Sequence, residues 1–322
     1  MQQDDRAEPT VLVLGGNGFI GRYLCAELEK QGAVVLIGTR AQTALAKPRC
    51  LAPDERRVVM HKMQHAEQWQ PALQGVDVVI NAVGILRQRL GESYEQVHHQ
   101  ALGELATACA KNQVRLVHLS ALGLGHPVKS RFTRSKRAGE WSLMNSNADW
   151  HIVRASLVDG PEGYGASWFR KVASWPIHIT PVNANGRMAP IRAEDLAACM
   201  AKVALQAALA TQANQLDGSR RIYDVAGPQR VSLLQYLAML KGKAPLAQLK
   251  IPAWFTRTVA HLCDVLHWSP LSFGHYELLQ YDNCPTRDRT VELLGRLPLA
   301  VEANCSESIK GSLDIGSGTA ST

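Results

Sequence analysis

Residues 11–40 read VLVLGGNGFIGRYLCAELEKQGAVVLIGTR, and no other stretch limits the fold as severely. A short apolar run meets a glycine-rich turn, an amphipathic helix comes next, and a second apolar run closes the unit. Gly15, Gly16, Gly18 and Gly21 satisfy both GxGxxG and GxxGxxG spacing. In a dinucleotide-binding turn the first glycine makes the sharp bend and the next lets backbone approach a pyrophosphate. The last lets the helix lie close on its sheet. Asn17, Phe19 and Ile20 fill the turn and the first helical positions, so they join the glycines as candidate cofactor contacts. Ile20, Leu24 and Leu28 recur at four-residue steps, one stripe against a sheet. The helix N-terminus therefore points free N–H groups and positive dipole at whatever anion sits in the turn. Gly32 stands just past Lys30 as a helix stop, and residues 33–37 are the next strand. Glycine turns also serve packing alone. Here strand, turn, helix and strand arrive in order, which is the context nucleotide binding requires.

The end of the second strand bears on which dinucleotide binds. A carboxylate about 20 residues past the motif would hold the adenosine ribose hydroxyls. This chain has Thr39 and Arg40 there, with Arg22 just after the last glycine. A guanidinium binds a 2′-phosphate through forked, charge-assisted bonds, whereas a carboxylate repels it. The expectation is NADP(H) in preference to NAD(H), against the alternative that Arg40 is a solvated loop charge. Residues 58–60 read as a short strand, with His61, Lys62 and Met63 after it where an acidic residue could have held the adenine. Adenine recognition is then expected to fall to backbone groups and Met63.

At 322 residues, 46% hydrophobic and 20% charged, the chain has room for one large α/β domain with a smaller appended lobe. The start, MQQDDRAEPT, has no apolar core, so no secretory signal is expected, and no apolar run is long enough to cross a bilayer. Seven cysteines lie scattered without CxxC pairs, as in reduced packing cysteines of a cytoplasmic protein; no metal site is expected. The formal net charge of +7 fits an anionic cofactor, an anionic membrane surface or nucleic acid. No basic tract with interleaved aromatics supports the last, and no nucleic-acid partner is expected.

Further along, residues 76–86 (VDVVINAVGIL) form a near-continuous apolar run, as in a strand buried on both faces of a parallel sheet. Ala82, Val83 and Gly84 at its end are small enough for backbone to run beside a cofactor. A helix from about Tyr94 to Lys111 turns Leu102, Leu105, Ala106 and Cys109 inward. His98 and His99 point to different faces of it, so exposed or capping roles are expected. Residues 114–119 are a buried strand ending at Ser120, and Lys136 lies on a helix running to about Asn145. Asp195 is a first-turn carboxylate, Ser232 an N-cap. The βαβ alternation reads as a doubly wound, mainly parallel sheet of Rossmann type. Residues 251–268 form a helical pattern with Trp254, Phe255, Val259, Leu262 and Leu266 toward one side. The usual meaning is a helix packed on its own domain, but an interfacial helix has the same pattern and periodicity does not separate the two. The expected organisation is a dinucleotide-binding domain over residues 1–160 and a C-terminal substrate-side region over 161–302, partly interleaved with the sheet. Residues 303–322, rich in Ser, Gly and Thr, read as a flexible tail.

The segments GGNGFIGRYL, VINAVGIL, VHLSALG, the stretch around Lys136, IVRASLVDGPE, VAGPQRVSLLQYL and WSPLSFGHYELLQYDN together resemble the extended or atypical short-chain dehydrogenase/reductases. More narrowly, they resemble the branch containing the NADPH-carrying accessory subunit of respiratory complex I and its bacterial relatives. The resemblance covers about residues 10–290. It implies a lysine that holds the nicotinamide ribose and lowers the pKa of a tyrosine four residues before it, with a serine upstream. Lys136 matches the lysine and Ser120 lies near the serine, so these two are the candidate catalytic residues, but the tyrosine position holds Phe132. Tyr94 and Tyr164 are the candidate substitutes, each also readable as a surface or packing residue.

The chain is accordingly expected to be an NADP(H)-binding protein that either catalyses a modest redox reaction or uses its cofactor as a sensor. The alternative from another class is an accessory or assembly factor of a respiratory or quinone-linked membrane complex, with a quinone-like small molecule and weak peripheral membrane contact as partners. A nucleotide-sugar epimerase or dehydratase is disfavoured, because that chemistry also relies on the missing tyrosine. The expected location is cytoplasmic, peripheral at the inner membrane face in the second reading.

Overall fold

The computed structural model describes residues 8–40, 54–127, 129–206, 221–243, 245–266 and 273–301, with 261–266 and 275 as backbone only. In chain order, β1 (Thr10–Leu14), α1 (Phe19–Lys30), β2 (Val34–Thr39) and β3 (Glu55–Arg57) precede α2 (Gln70–Leu73) and β4 (Val78–Asn81). A π-helical turn, Glu95–Gln100, runs into α3 (Ala101–Asn112), and then come β5 (Arg115–Ala121), α4 (Arg131–Met144) and β6 (Trp150–Ala155). The later part holds β7 (Val158–Asp159), α5 (Tyr164–Ala173), β8 (Ile177–Pro181), β9 (Ile191–Arg192), α6 (Ala193–Gln206) and β10 (Ile222–Val225). It ends with α7 (Leu233–Lys241), β11 (Ala247–Ile251), α8 (Ala253–Leu266), α9 (Phe273–Leu278) and α10 (Thr290–Leu294).

The central sheet has seven strands in the order β10-β6-β5-β4-β1-β2-β3, all parallel. Alternate residues of β1 divide two cores. Leu12 and Leu14 face Leu102, Leu105, Leu116 and Leu143, while Val11 and Val13 face Leu24, Leu28, Leu196 and Met200. Burying each such side chain contributes roughly 1.5–3 kcal/mol, which explains why a two-sided apolar strand takes the centre of the sheet. The order reverses at β1 and β4, and the crevice beyond their carboxyl ends is where such sheets place ligands.

A third apolar cluster, around Val172, Met188, Tyr236, Leu237 and Leu240, belongs to the smaller lobe built by α5, α7 and the parallel pair β8–β11. Its chain weaves back into the main body: β10 is an edge strand of the large sheet, and Asp195, fully buried on α6, receives Arg296 Nη2 and the Leu299 N–H, each at 2.6 Å.

Three local expectations are corrected. The edge strand is Glu55–Arg57, and the residues expected to form it run instead into a 3-10 turn, Met60–Lys62. His98 is buried, where an exposed or capping role was expected, because the π-helical turn rotates it inward. On α8, Trp254 and Phe255 are exposed and Val259 is half-buried while Thr256 and Ala260 face inward, so the two aromatics do not pack on their own domain. The side chains of Leu262 and Leu266, and the expected tail, lie outside the described residues.

Candidate functional site

The turn after β1 is held by its own backbone. Gly15 sits at φ +80°, which an L side chain rarely adopts, and its N–H donates to the Gly38 carbonyl at 3.1 Å. A Cβ on Gly21 would lie 2.0 Å from the Gly15 carbonyl oxygen, so α1 and the turn are as close as backbone permits. Gly18 is the N-cap of α1 and offers no side-chain acceptor, which leaves the first N–H groups of the helix turned toward the crevice.

A cavity of about 580 Å³ opens over this turn, a size that suits a cofactor or drug-sized ligand. Gly15, Asn17, Gly18, Phe19 and Ile20 line its near wall, and Thr39 and Arg40 close one end. Asn17 Nδ2 donates to Thr39 Oγ1 at 3.3 Å, fastening the turn to the end of β2. Arg40 donates from Nη1 to both carboxylate oxygens of Glu92, at 3.1 and 3.2 Å. Among the described residues, Glu92 engages this guanidinium through Nη1 and leaves its Nε and Nη2 clear. Val58 and Met60 complete this end; Met63, expected there, packs on the core instead, since the 3-10 turn brings Met60 round to the cavity. Arg22 is exposed and not part of the wall.

The opposite wall is the end of β4, Ala82, Val83 and Gly84. Asn81 fixes it from beneath: its Oδ1 accepts from the Val83 N–H at 3.0 Å, and its Nδ2 donates to His118 Nδ1 at 3.3 Å. Burial, then the nearby Lys136 ammonium, pushes His118 down to about 3, so it stays neutral. His98 is held well below the ordinary histidine range, again by burial first and Lys136 second. It accepts from the Ile85 N–H at Nε2 and shares its Nδ1 with Ser135 Oγ, which in turn donates to the Phe132 carbonyl. These bonds suit the neutral ring with its proton on Nδ1.

Lys136 and Ser120 do not line the cavity; Lys136 lies behind its wall at Gly84. A methyl on Gly84 would come within 3.9 Å of Lys136 Nζ, so the amine lies close behind this part of the wall. Burial lowers the Lys136 pKa, and Glu140, itself held by Arg154, only partly offsets it. Ser120 Oγ is buried with no hydrogen-bond partner among the described residues. A buried hydroxyl without a partner is a residual valence in this structure, and the Lys136 amine is one behind the cavity wall. Phe132 packs against Tyr94, His98 and Gly274 of α9, away from the cavity. Glu277 of the same helix accepts from the Lys129 and Ser130 N–H groups and from Thr133 Oγ1, clasping α9 to the start of α4.

The far end is apolar and assembled from separated segments: Trp168 and Phe169 of α5, Met188, Leu278, Tyr281 and Asn283. Tyr164 stands 58% exposed on its rim, whereas Tyr94 is buried and donates to the Leu86 carbonyl at 2.9 Å. Sequence reasoning missed Glu92, Met60, Arg187, Tyr281 and Asn283 as wall residues. Only Glu92 carried a signal, as the carboxylate in an otherwise polar loop before the α3 helix. Among the described residues no group of three His, Cys, Asp or Glu side chains could hold a metal ion.

A family described as NAD(P)H-binding matches residues 15–207. NADH dehydrogenase (ubiquinone) 1 alpha subcomplex subunit 9, mitochondrial, of Dictyostelium discoideum is 25% identical over 244 residues, 74% of this chain and 65% of that protein. Ceramide reductase of Caulobacter vibrioides is 26% identical over 193 residues, 60% of each chain. The chain thus spans less than two thirds of the length of these relatives, and 38% of the Arabidopsis thaliana counterpart of the first. Among solved structures, MoeE5 in complex with UDP-glucuronic acid and NAD superposes with a TM-score of 0.59 at 16% identity, over 91% of this chain and 94% of that one. The structure of gox2253 gives 0.61 at 17% identity, over 90% and 94%. At such identities these neighbours speak for the fold alone.

Proposed function

The chain belongs to the NAD(P)H-binding family, and from that premise we propose that its cavity takes NADP(H) together with a large apolar second molecule, in a protein that binds its cofactor far better than it turns over simple carbonyls. The pyrophosphate would lie over the N-terminus of α1, with adenosine toward Thr39, Arg40 and Met60 and nicotinamide toward Val83, Gly84, Ser120 and Lys136. Nε and Nη2 of Arg40 support the NADP(H) preference, since Glu92 occupies Nη1 alone. Glu92 is the opposing feature, a carboxylate that could instead serve a ribose hydroxyl.

The observation that carries the reading is the pairing of Lys136 beneath Gly84 with Phe132 at the tyrosine position. Lys136 grips ribose hydroxyls without a phenol to relay a proton, and Ser120 supplies a hydroxyl to the same edge. When bound, the cofactor supplies hydride chemistry. Loss of a positioned acid typically costs ~10²–10⁴ in rate. The apolar far end suits a long-chain or quinone-type carbonyl compound. One relative is named for ceramide reduction and another as a subunit of an NADH–ubiquinone dehydrogenase, which agrees with such a substrate. Peripheral contact with an anionic membrane or membrane complex belongs to the same proposal, and exposed Trp254 and Phe255 support it.

The test is calorimetric titration with NADPH and NADH, then NADPH oxidation over small ketones and over quinone or long-chain carbonyl compounds. Saturable binding, tighter for NADPH, with little turnover on small ketones is expected. Efficient small-ketone turnover that persists in Ser120→Ala and Tyr164→Phe would refute this assignment of roles.

A further inference from the structure

The smaller lobe has an unusual charge map. Residues 163–193 contain no Asp or Glu and carry Arg170, Lys171, Arg187 and Arg192. Residues 225–260 again contain no Asp or Glu and carry Arg230, Lys241, Lys243, Lys250 and Arg257. The chain's net charge is +7, so these two segments hold all of its positive excess and the remainder is slightly acidic.

They also hold much of its exposed apolar surface. In the β8–β11 pair, Ile177 registers with Ala247 and Ile179 with Leu249, and paired residues of parallel strands share a face. His178 and Thr180 point into the lobe, so the other face, with Ile179 42% and Leu249 53% exposed, looks outward. Trp254, 70% exposed, and Phe255 come directly after the end of β11 across Pro252. Trp175 and Leu246, just before the two strands, are exposed as well. Singly exposed apolar residues are ordinary, but a strand-pair face continued by two aromatics is not.

We infer that the outer face of the β8–β11 pair, with Trp254 and Phe255, is the surface by which the protein docks on an anionic lipid membrane. This deepens the membrane contact proposed above and rests on it. The cations decide the occupant. Lys171, Lys243 and Arg257 are exposed side chains on two segments without a single carboxylate. Long, solvated lysines suit headgroup phosphates, whereas cores of protein interfaces are depleted in them. A second copy of this face would meet like charge with like. Tryptophan and phenylalanine beside lysine are also the composition by which surfaces enter the headgroup layer without spanning it, and no described helix is long and apolar enough to cross a membrane. Arg187 lines both the cavity and the groove under β8 and β11, so the cavity adjoins the inward side of the strand pair whose outer side is the docked face.

The experiment is vesicle co-sedimentation at low and high salt, with phosphatidylcholine alone and with phosphatidylcholine–phosphatidylglycerol mixtures. Wild type is expected to bind the anionic vesicles and to be released by salt. Ile179→Ser/Leu249→Ser and Trp254→Ser/Phe255→Ser should each weaken partitioning ~10-fold or more, and Lys243→Glu/Arg257→Glu should abolish the anionic preference. Unchanged cofactor titration and thermal unfolding would show that each variant is folded. Wild-type binding that all three variants share would overturn this surface while leaving membrane contact standing. No wild-type binding would overturn both, as would concentration-dependent self-association relieved by the same substitutions.

Discussion

The two ends of the cavity are made of different material. Around the glycine turn the wall is backbone and small side chains, packed so closely that a single methyl at Gly21 has nowhere to go. At the far end the wall is Trp168, Phe169, Met188, Leu278 and Tyr281, side chains delivered by segments more than a hundred residues apart. Backbone walls cannot be reshaped without disturbing the sheet they grow from, whereas side-chain walls can be re-cut one residue at a time. Cofactor recognition is therefore tied to stability in this molecule, and recognition of the second molecule is not.

The largest effect that can break this contrast is Gly21→Ala. Because its Cβ would meet a carbonyl oxygen at 2.0 Å, the expected result is about 3 kcal/mol or more of destabilisation together with loss of cofactor binding. Thermal unfolding and titration check it, and near-wild-type behaviour would deny that the turn is rigid.

Lys136→Met removes the amine beneath Gly84, and cofactor affinity is expected to fall about tenfold to a hundredfold, one charged hydrogen bond. Stability should move the other way. The folded-state pKa of Lys136 is depressed, so between that value and the ordinary lysine pKa the unfolded chain binds more protons. Wild-type stability from this group thus rises as pH climbs through that window. Unfolding curves of Lys136→Met should lack the rise.

Glu277→Gln keeps the shape of the clasp between α9 and α4 but turns an amide toward two backbone donors, at an expected cost of about 1–3 kcal/mol. Burial raises this carboxyl, yet the Lys129 and Ser130 N–H bonds outweigh it and leave the pKa lowered. The stabilisation is full above the ordinary carboxylate range and is lost as pH falls through the lowered value. Hydrogen exchange of residues 273–278 should accelerate at acid pH in wild type and be fast already near neutrality in the variant.

Arg40→Ala should cost NADPH affinity about tenfold and spare NADH, since the guanidinium is half exposed and already shared with Glu92. Equal loss for both cofactors, read by calorimetry, would move the adenosine end elsewhere. Tyr164→Ala, on the exposed rim of the far end, should leave stability within ~0.5 kcal/mol and cofactor affinity unchanged, altering only the second-substrate profile.

The same contrast governs how legible each end was in the sequence. The turn, its helix and strands β1, β2 and β4 obey short-range spacing, and Gly15, Asn17, Gly18, Phe19, Ile20, Thr39, Arg40, Ala82, Val83 and Gly84 do line one cavity. Lys136 lies beneath that cavity's wall. His98 was misjudged because an ideal helix gives no hint of the π-helical turn that swings it inward. Met60 took the place expected of Met63 through the 3-10 turn after a displaced edge strand. Trp254 and Phe255 show the limit of periodicity, which identifies a stripe but not which side a neighbour will cover when Thr256 and Ala260 can be buried instead. Tyr281 and Asn283 reach the cavity only through tertiary folding, and no local pattern encodes that.

Asp195 carries a lesson about modularity. It is wholly enclosed, and its charge is answered from far down the chain by Arg296 and the Leu299 amide. A fragment cut at the family boundary, residue 207, would retain the glycine turn, yet it would strand this carboxylate without counter-charge and forfeit the edge strand β10. The segment by which the family is known is a unit of descent but not a portable one: any graft, fusion or minimal version has to carry the chain on through Leu299.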